Sequence, residues 1–391
     1  MYNRKFRPTL LTVAALVALI VPTAWAQQFP DGAEPPHSRG ELPSAFLDQP
    51  PPSGARSSFD TDFSRGTISY VDIISGGPPK DGIPAIDTPR FVSIREAREW
   101  IDGEESVFLL EHAGEAKIYP IQILMWHEIV NDEIAGLGVT VTYCPLCNTG
   151  VTFRRSYDGR ALDFGVSGRL RFSNMIMYDR QTESWWQQAT GRSIAGEYAG
   201  GRLARFPMLM LSFEEARRVA PEAMVLSRDT GHNRAYGRNP YRGYDTASAP
   251  FLYRGPSING DLDPMTRVLM VEAGGEQAVF AYPELEKEGF IEQRVGGVPV
   301  LVLFSPEVAS PLDDSSVAGG RTVGAANAFI AAVDGRTLRF ETARNGRVRD
   351  VETGTLWDGA GRALSGELQG TTLERADTVQ HFWFSYTAFA E

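Results

Sequence analysis

Cysteine is nearly missing from this 391-residue chain: Cys144 and Cys147, astride a proline in "VTYCPLCNTG", are the whole supply. That excludes a multi-disulfide framework and a four-cysteine zinc or iron–sulfur knuckle. Cationic residues are also short. Against 49 Asp and Glu stand 38 Lys and Arg, a net charge of −11, which argues against nucleic acid or an anionic bilayer as partner. No apolar run is long enough for a transmembrane helix; Leu10–Val21 falls short. The chain lacks Gly-x-Ser-x-Gly, His-Glu-x-x-His, Cys-x-x-Cys-His, Gly-x-Gly-x-x-Gly and the Walker spacing, which removes the chemistries those motifs carry.

What is present begins with Arg4, Lys5 and Arg7, the apolar run, and the small residues of "AWA" ending at Ala26. This reads as a signal peptide over 1–26, with a secreted, periplasmic or extracellular product and no integral membrane segment after cleavage. Residues 27–60 are rich in Pro, Gly and Ser and predict a disordered leader. Beyond them, "SVFLLEH", "AKIYPI", "GVTVTY", "GVTFRRSY" and "NMIMYD" are short runs of strand character between turns. "SFEEARRVAPEA" (212–223) predicts a Ser-capped helix.

An internal repeat organises the rest. "DRQTESWWQQATGRSIAGEYAGGRL" (179–203) aligns with "DVETGTLWDGAGRALSGELQGTTL" (350–373), sharing Asp179/Asp350, Thr182/Thr353, Trp186/Trp357 and Glu197/Glu367. The fold class expected is mainly β (α+β), two duplicated β-rich lobes with a few peripheral helices. The N-terminal lobe is placed at 61–205, a helix and long polar connector at 206–265, and the C-terminal lobe at 266–391. Opposite Cys144-Pro-Leu-Cys147 the second lobe has Ser305-Pro-Glu-Val308. The proline recurs and the thiols do not, so a purely structural role for them loses weight.

Three functions fit the pair. The leading one is a metal site for copper or zinc, with Cys144, Cys147 and the imidazole of His127, 17 residues upstream. The second is a thiol–disulfide centre in which Cys144 attacks and Cys147 resolves. In the third, the pair is a structural disulfide and the polar, aromatic 228–245 loop, with His232, Tyr236, Arg238 and Tyr241, binds a ligand. The partner is accordingly a small molecule, a metal ion or a redox protein. Lys80 and Asp81 sit on a rigid Gly/Pro loop of the kind that borders sites. Met175 and Met177 alternate on one strand and read as core. Asp179 and Trp186, which recur, read as a turn cap and a core residue.

"ISGGPPKDGIPAID", "YPIQILMWHEIVND", "VTYCPLCNTGVTF" and "FGVSGRLRFSNMIMYDRQTESWW", in this order, resemble the family called domain of unknown function 3179. The resemblance implies an exported or membrane-associated β-rich protein. It also implies that Cys144, Cys147, His127, Asn131, Asp132, Lys80 and Asp81 stand at motif positions. On that ground Lys80, Asp81, Asn131 and Asp132 are candidate pocket residues.

Overall fold

The computed structural model describes residues 42–258, 260–343 and 347–390; the expected signal peptide and the first part of the leader lie outside them. Strands predominate and every described α-helix is short, as the mainly β expectation requires. Strand Ser106–His112 turns through left-handed Ala113 and Gly114 into Glu115–Pro120, the geometry that matches strand twist in a two-residue hairpin. Helix Ile121–His127 follows, then a meander of Ile129–Ile134, Leu137–Cys144 and Thr149–Arg154. A sheet of Phe164–Arg171, Asn174–Asp179, Trp185–Gln187 and Ser193–Ala195 comes next, with Ile73–Ser75 on its outer edge. Strand Leu209–Ser212 then returns to pair with Ser106–Leu109, and Ser212 caps helix Phe213–Val219 by accepting from Glu215 N–H.

The second half repeats that order. Hairpin Arg267–Ala273/Glu276–Ala281 leads to helix Tyr282–Glu288, and a meander of Phe290–Val295, Val298–Ser305 and Ala325–Ile330 follows. The ribbon sheet from Phe340 to Ser365 precedes strand Asp377–Phe382, which pairs back onto Arg267–Glu272 and leads into helix Trp383–Phe389. The recurrence therefore reaches past the sequence match, through the returning strand and last helix.

Local chemistry repeats with it. Asp179 accepts from Thr182 N–H at 2.7 Å and from Trp186 Nε1–H at 2.9 Å; Asp350 accepts from Thr353 N–H at 2.6 Å and from Trp357 Nε1–H at 2.9 Å. Each buried carboxylate ties a turn to an indole, the fold role expected of them.

The structure adds three features to these expectations. Helix Ile121–His127 carries no local sequence signal, since six of its seven residues are buried and no amphipathic period shows. Beyond 205, Leu209–Ser212 and Met224–Leu226 are strands paired with Ser106–Leu109 and with Lys117 and Ile118. And the leader is not uniformly loose. Ala55 and Phe59 pack with Trp185, as does Phe63 just past the leader; the Trp185 ring meets the two phenylalanines edge-on at 5.0 and 5.1 Å. Each buried Phe contributes about 2 kcal/mol. Strand alternation sends the adjacent Trp186 to the opposite, central core.

That central core draws on both halves, from Ile86 and Phe108 to Val379 and Phe384. Charges cross as well, reciprocally. Arg205 of the first half pairs with Glu272 at 3.0 Å and Asp377 at 2.9 Å in the second; Arg375 and Arg362 of the second pair with Glu111 in the first.

Candidate functional site: a buried dithiol beside a chamber

Strand Leu137–Cys144 ends on the first cysteine, and Pro145 starts one 3₁₀ turn that carries the second. Asn148 closes the turn in the left-handed region at φ 49°, a conformation asparagine tolerates. Both thiols are free and buried, 1% and 0% exposed. Their surroundings are unequal. Cys147 accepts a hydrogen bond from Asn174 Nδ2 at 3.0 Å. Further donors from Thr149 and the Cys144 thiol outweigh the burial that opposes ionisation, so Cys147 is held below an ordinary thiol. Cys144 is pushed well above one, by burial first and then by giving its proton toward Cys147.

Asn174 comes from a feature of the first half alone. From Phe164 to Asp179 the chain takes fifteen steps, and from Phe340 to Asp350 ten. Both hairpins begin in the same register, Phe164 opposite Asp179 and Phe340 opposite Asp350. The five extra residues lengthen the first hairpin until its tip reaches the thiols. The Ser173 carbonyl lies 3.7 Å from Cys144 Sγ, Asn174 contacts Cys147, and Met175 N–H faces Cys144. Asn174 is fixed from behind, with Nδ2 also donating to Gln188 Oε1 at 2.7 Å and Oδ1 accepting from Gln187 Nε2 at 2.6 Å.

Next to the pair stands Glu128. It terminates helix Ile121–His127 in the left-handed region, φ 59°, where the second half has Gly289 at φ 78°. A non-glycine residue there costs of order 1 kcal/mol. Glu128 is 8% exposed, and its carboxyl has no hydrogen bond or ion pair among the described residues. Desolvation, reinforced by Cys147, pushes its pKa up to about 8. The group is therefore a neutral acid at pH 7 and can exchange a proton near neutrality.

His127 points elsewhere. Its Nδ1 lies 2.7 Å from the Pro84 carbonyl and its Nε2 2.6 Å from the Tyr236 hydroxyl. A carbonyl only accepts, so Nδ1 carries the proton and Nε2 accepts from the tyrosine. Burial lowers its pKa to about 4, which keeps the ring neutral. As a third metal ligand it would have to break one of these bonds. Among the described residues no three His, Cys, Asp or Glu side chains are grouped to hold a metal ion.

The pocket candidates bond within the fold, although Asp81 Oδ1 is buried without a hydrogen-bond partner among the described residues. Lys80 pairs with Glu183 and lies 4.6 Å from the centres of the Phe59 and Tyr178 rings; Asp81 accepts from Tyr178 Oη at 2.5 Å. Asn131 bonds Asp87 and both backbone groups of Phe164, and Asp132 takes Lys117 at 3.2 Å and Tyr119 Oη at 2.6 Å. None of the four lines the chamber beside the thiols, although their loop neighbours Pro78 and Ile83 do, as do Met175 and Tyr241. The 228–245 loop covers the turn, with Tyr244 Oη donating to the Leu146 carbonyl at 2.7 Å.

Other contributors escaped the sequence reading. Thr149, which supports Cys147, has its hydroxyl 3.1 Å from Nδ1 of His381, a buried histidine of the second half lowered to about 3. Asn174 and Glu128 carry a signal visible only when the halves are aligned: one lies in the extra hairpin residues, the other opposite a glycine.

No solved structure and no curated protein matches this chain. The model of the family described as "Protein of unknown function (DUF3179)" matches residues 80–391, most of the chain including Glu128, Cys144, Cys147 and Asn174, and the protein belongs to that family.

Proposed function

We propose that Cys144 and Cys147 form a two-electron dithiol/disulfide centre serving a partner that enters the adjoining chamber. The observation carrying this reading is the asymmetric pair: Cys147, whose ionisation Asn174 and Thr149 favour, against Cys144, whose ionisation burial opposes. These roles reverse the order expected from sequence. Cys147 attacks one sulfur of a substrate disulfide, and the leaving thiolate takes the Glu128 proton. Cys144 then passes its own proton to Glu128 and attacks Cys147, expelling the second thiolate. The sum is one disulfide formed, one reduced and two electrons moved. Burial of both sulfurs restricts exchange to a partner able to reach past Leu146, which lines the chamber.

Protein equilibrated in dithiothreitol and glutathione buffers, then alkylated and weighed, tests this. A potential above about −300 mV is expected; a much lower one leaves a structural clip. Copper or zinc near one per chain after chelator-free purification, lost in Cys144→Ser, would replace this reading with the metal site. The redox reading also rests on export. Protein made with its full leader should begin at Gln27, and an intact Met1 would remove the oxidising compartment from the argument.

A further inference from the structure

Beside the dithiol the chain forms a half-open cavity of about 620 Å³, within the range of small-molecule sites. Its walls come from the Gly/Pro loop at 76–83, the helix end at Glu128, Leu146 of the cysteine turn, the 166–175 hairpin and the 240–251 loop. Leu146, Leu170 and Phe251 give it an apolar lining, into which Glu128, Arg169 and Arg242 are set.

The way Arg169 arrives is specific. Between Val166 and Arg169 the pairing with Asn174–Asp179 slips, a β-bulge. On a regular strand two residues three apart face opposite sides; with the bulge both line the cavity. Gly168 permits it, at φ +72° and with no Cβ, where one would sit 2.2 Å from the Pro78 carbonyl oxygen. Neither Arg169 nor Arg242 makes a side-chain hydrogen bond or ion pair among the described residues, although Asp314 lies near enough to feel Arg242. Partial burial without a counter-charge holds Arg169 below an ordinary arginine. An anion would relieve that cost. Glu128, buried and without a side-chain partner, faces the same space as a neutral donor that does not repel one.

We propose that this cavity binds a small organic acid with an apolar body, its anionic group held by Arg169 and Arg242 and its far end against Glu128 and the cysteine turn. That the ligand is a substrate rests on the dithiol reading; its binding does not.

Two probes test it on the reduced full chain: 8-anilinonaphthalene-1-sulfonate, apolar with one anionic group, and uncharged N-phenyl-1-naphthylamine. The sulfonate should bind at one site per chain and lose about tenfold in affinity in Arg169→Gln and in Arg242→Gln. Arg169→Lys should recover part of the loss, and the neutral probe should change less than about twofold. Thermal transitions confirm that each variant folds. Sulfonate affinity unchanged in both Gln variants, or an equal loss for both probes, overturns the proposal. The potential of the dithiol is measured without ligand, so either idea can fail while the other stands.

Discussion

The strand ends at Cys144 and at Ser305 occupy the same station in two halves with the same order of elements, yet their surroundings differ in kind. At Cys144 a lengthened hairpin brings Asn174 over the turn, and a left-handed glutamate closes the preceding helix. At Ser305 the hairpin is short, Gly289 closes the helix, and a cleft of about 500 Å³ carries Glu215, Arg218 and Asp358 instead. What the halves share, the Asp–Thr–Trp turns and the paired meanders, is therefore what the fold needs. What the first half has alone is one insertion, two thiols and a carboxylate in a strained position. The difference isolates the site more sharply than either half could by itself.

Changes at the unequal positions should break this comparison, and changes at the equal ones should leave it balanced. The largest effect is expected from Glu128→Gln. The unfolded chain releases the Glu128 proton near 4.5, while the folded protein holds it to about 8. Folding therefore weakens as pH rises through that window, by about 4 kcal/mol at pH 8. The glutamine variant should flatten this slope in urea titrations at pH 5 and pH 8; an unaltered slope would return Glu128 to an ordinary carboxylate. Arg205→Ala comes next. It strips Asp377 of its ion pair with Arg205 and leaves Glu272 with Arg202 and Gln277, at a cost of about 3 kcal/mol in the same assay. Asp179→Ala and Asp350→Ala should each cost about 2 kcal/mol, since each leaves a buried indole N–H without its acceptor. A difference of more than about 1 kcal/mol between them would mean that the turns are not equivalent in energy. The smallest effect is expected when Cys144→Ser and Cys147→Val place the second half's residues in the first. Reduced protein should then lose no more than about 1 kcal/mol. A loss of 2–5 kcal/mol relative to oxidised wild type would restore the structural-clip reading.

Much of this was legible in the chain. The alternating runs gave the hairpins and meander, and the repeated Asp and Trp announced their turns. The cysteine pair, absent from one repeat, marked the site, and the Gly/Pro loop and Tyr241 proved to border the chamber. What stayed hidden depends on direction and register. His127 is close to the cysteines in sequence, but the end of its helix aims the ring at Pro84 and Tyr236. Glu128 stays hidden because neither its backbone sign nor its burial is written in a single strand of letters. Asn174 reaches Cys147 through a hairpin whose bulge sets the register, and Thr149 meets a histidine 232 positions away. Contacts of that span cannot be read from local pattern.

The reciprocal arginines have a consequence for how the chain can be divided. A piece ending at Leu226 would keep Glu111 but lose Arg362 and Arg375; a piece starting at Met265 would keep Glu272 and Asp377 but lose Arg202 and Arg205. Each fragment holds the acids whose cations went with the other. Neither is suited to stand as an independent module, while the two together are matched for fragment complementation, with the charges restored in the same act of association.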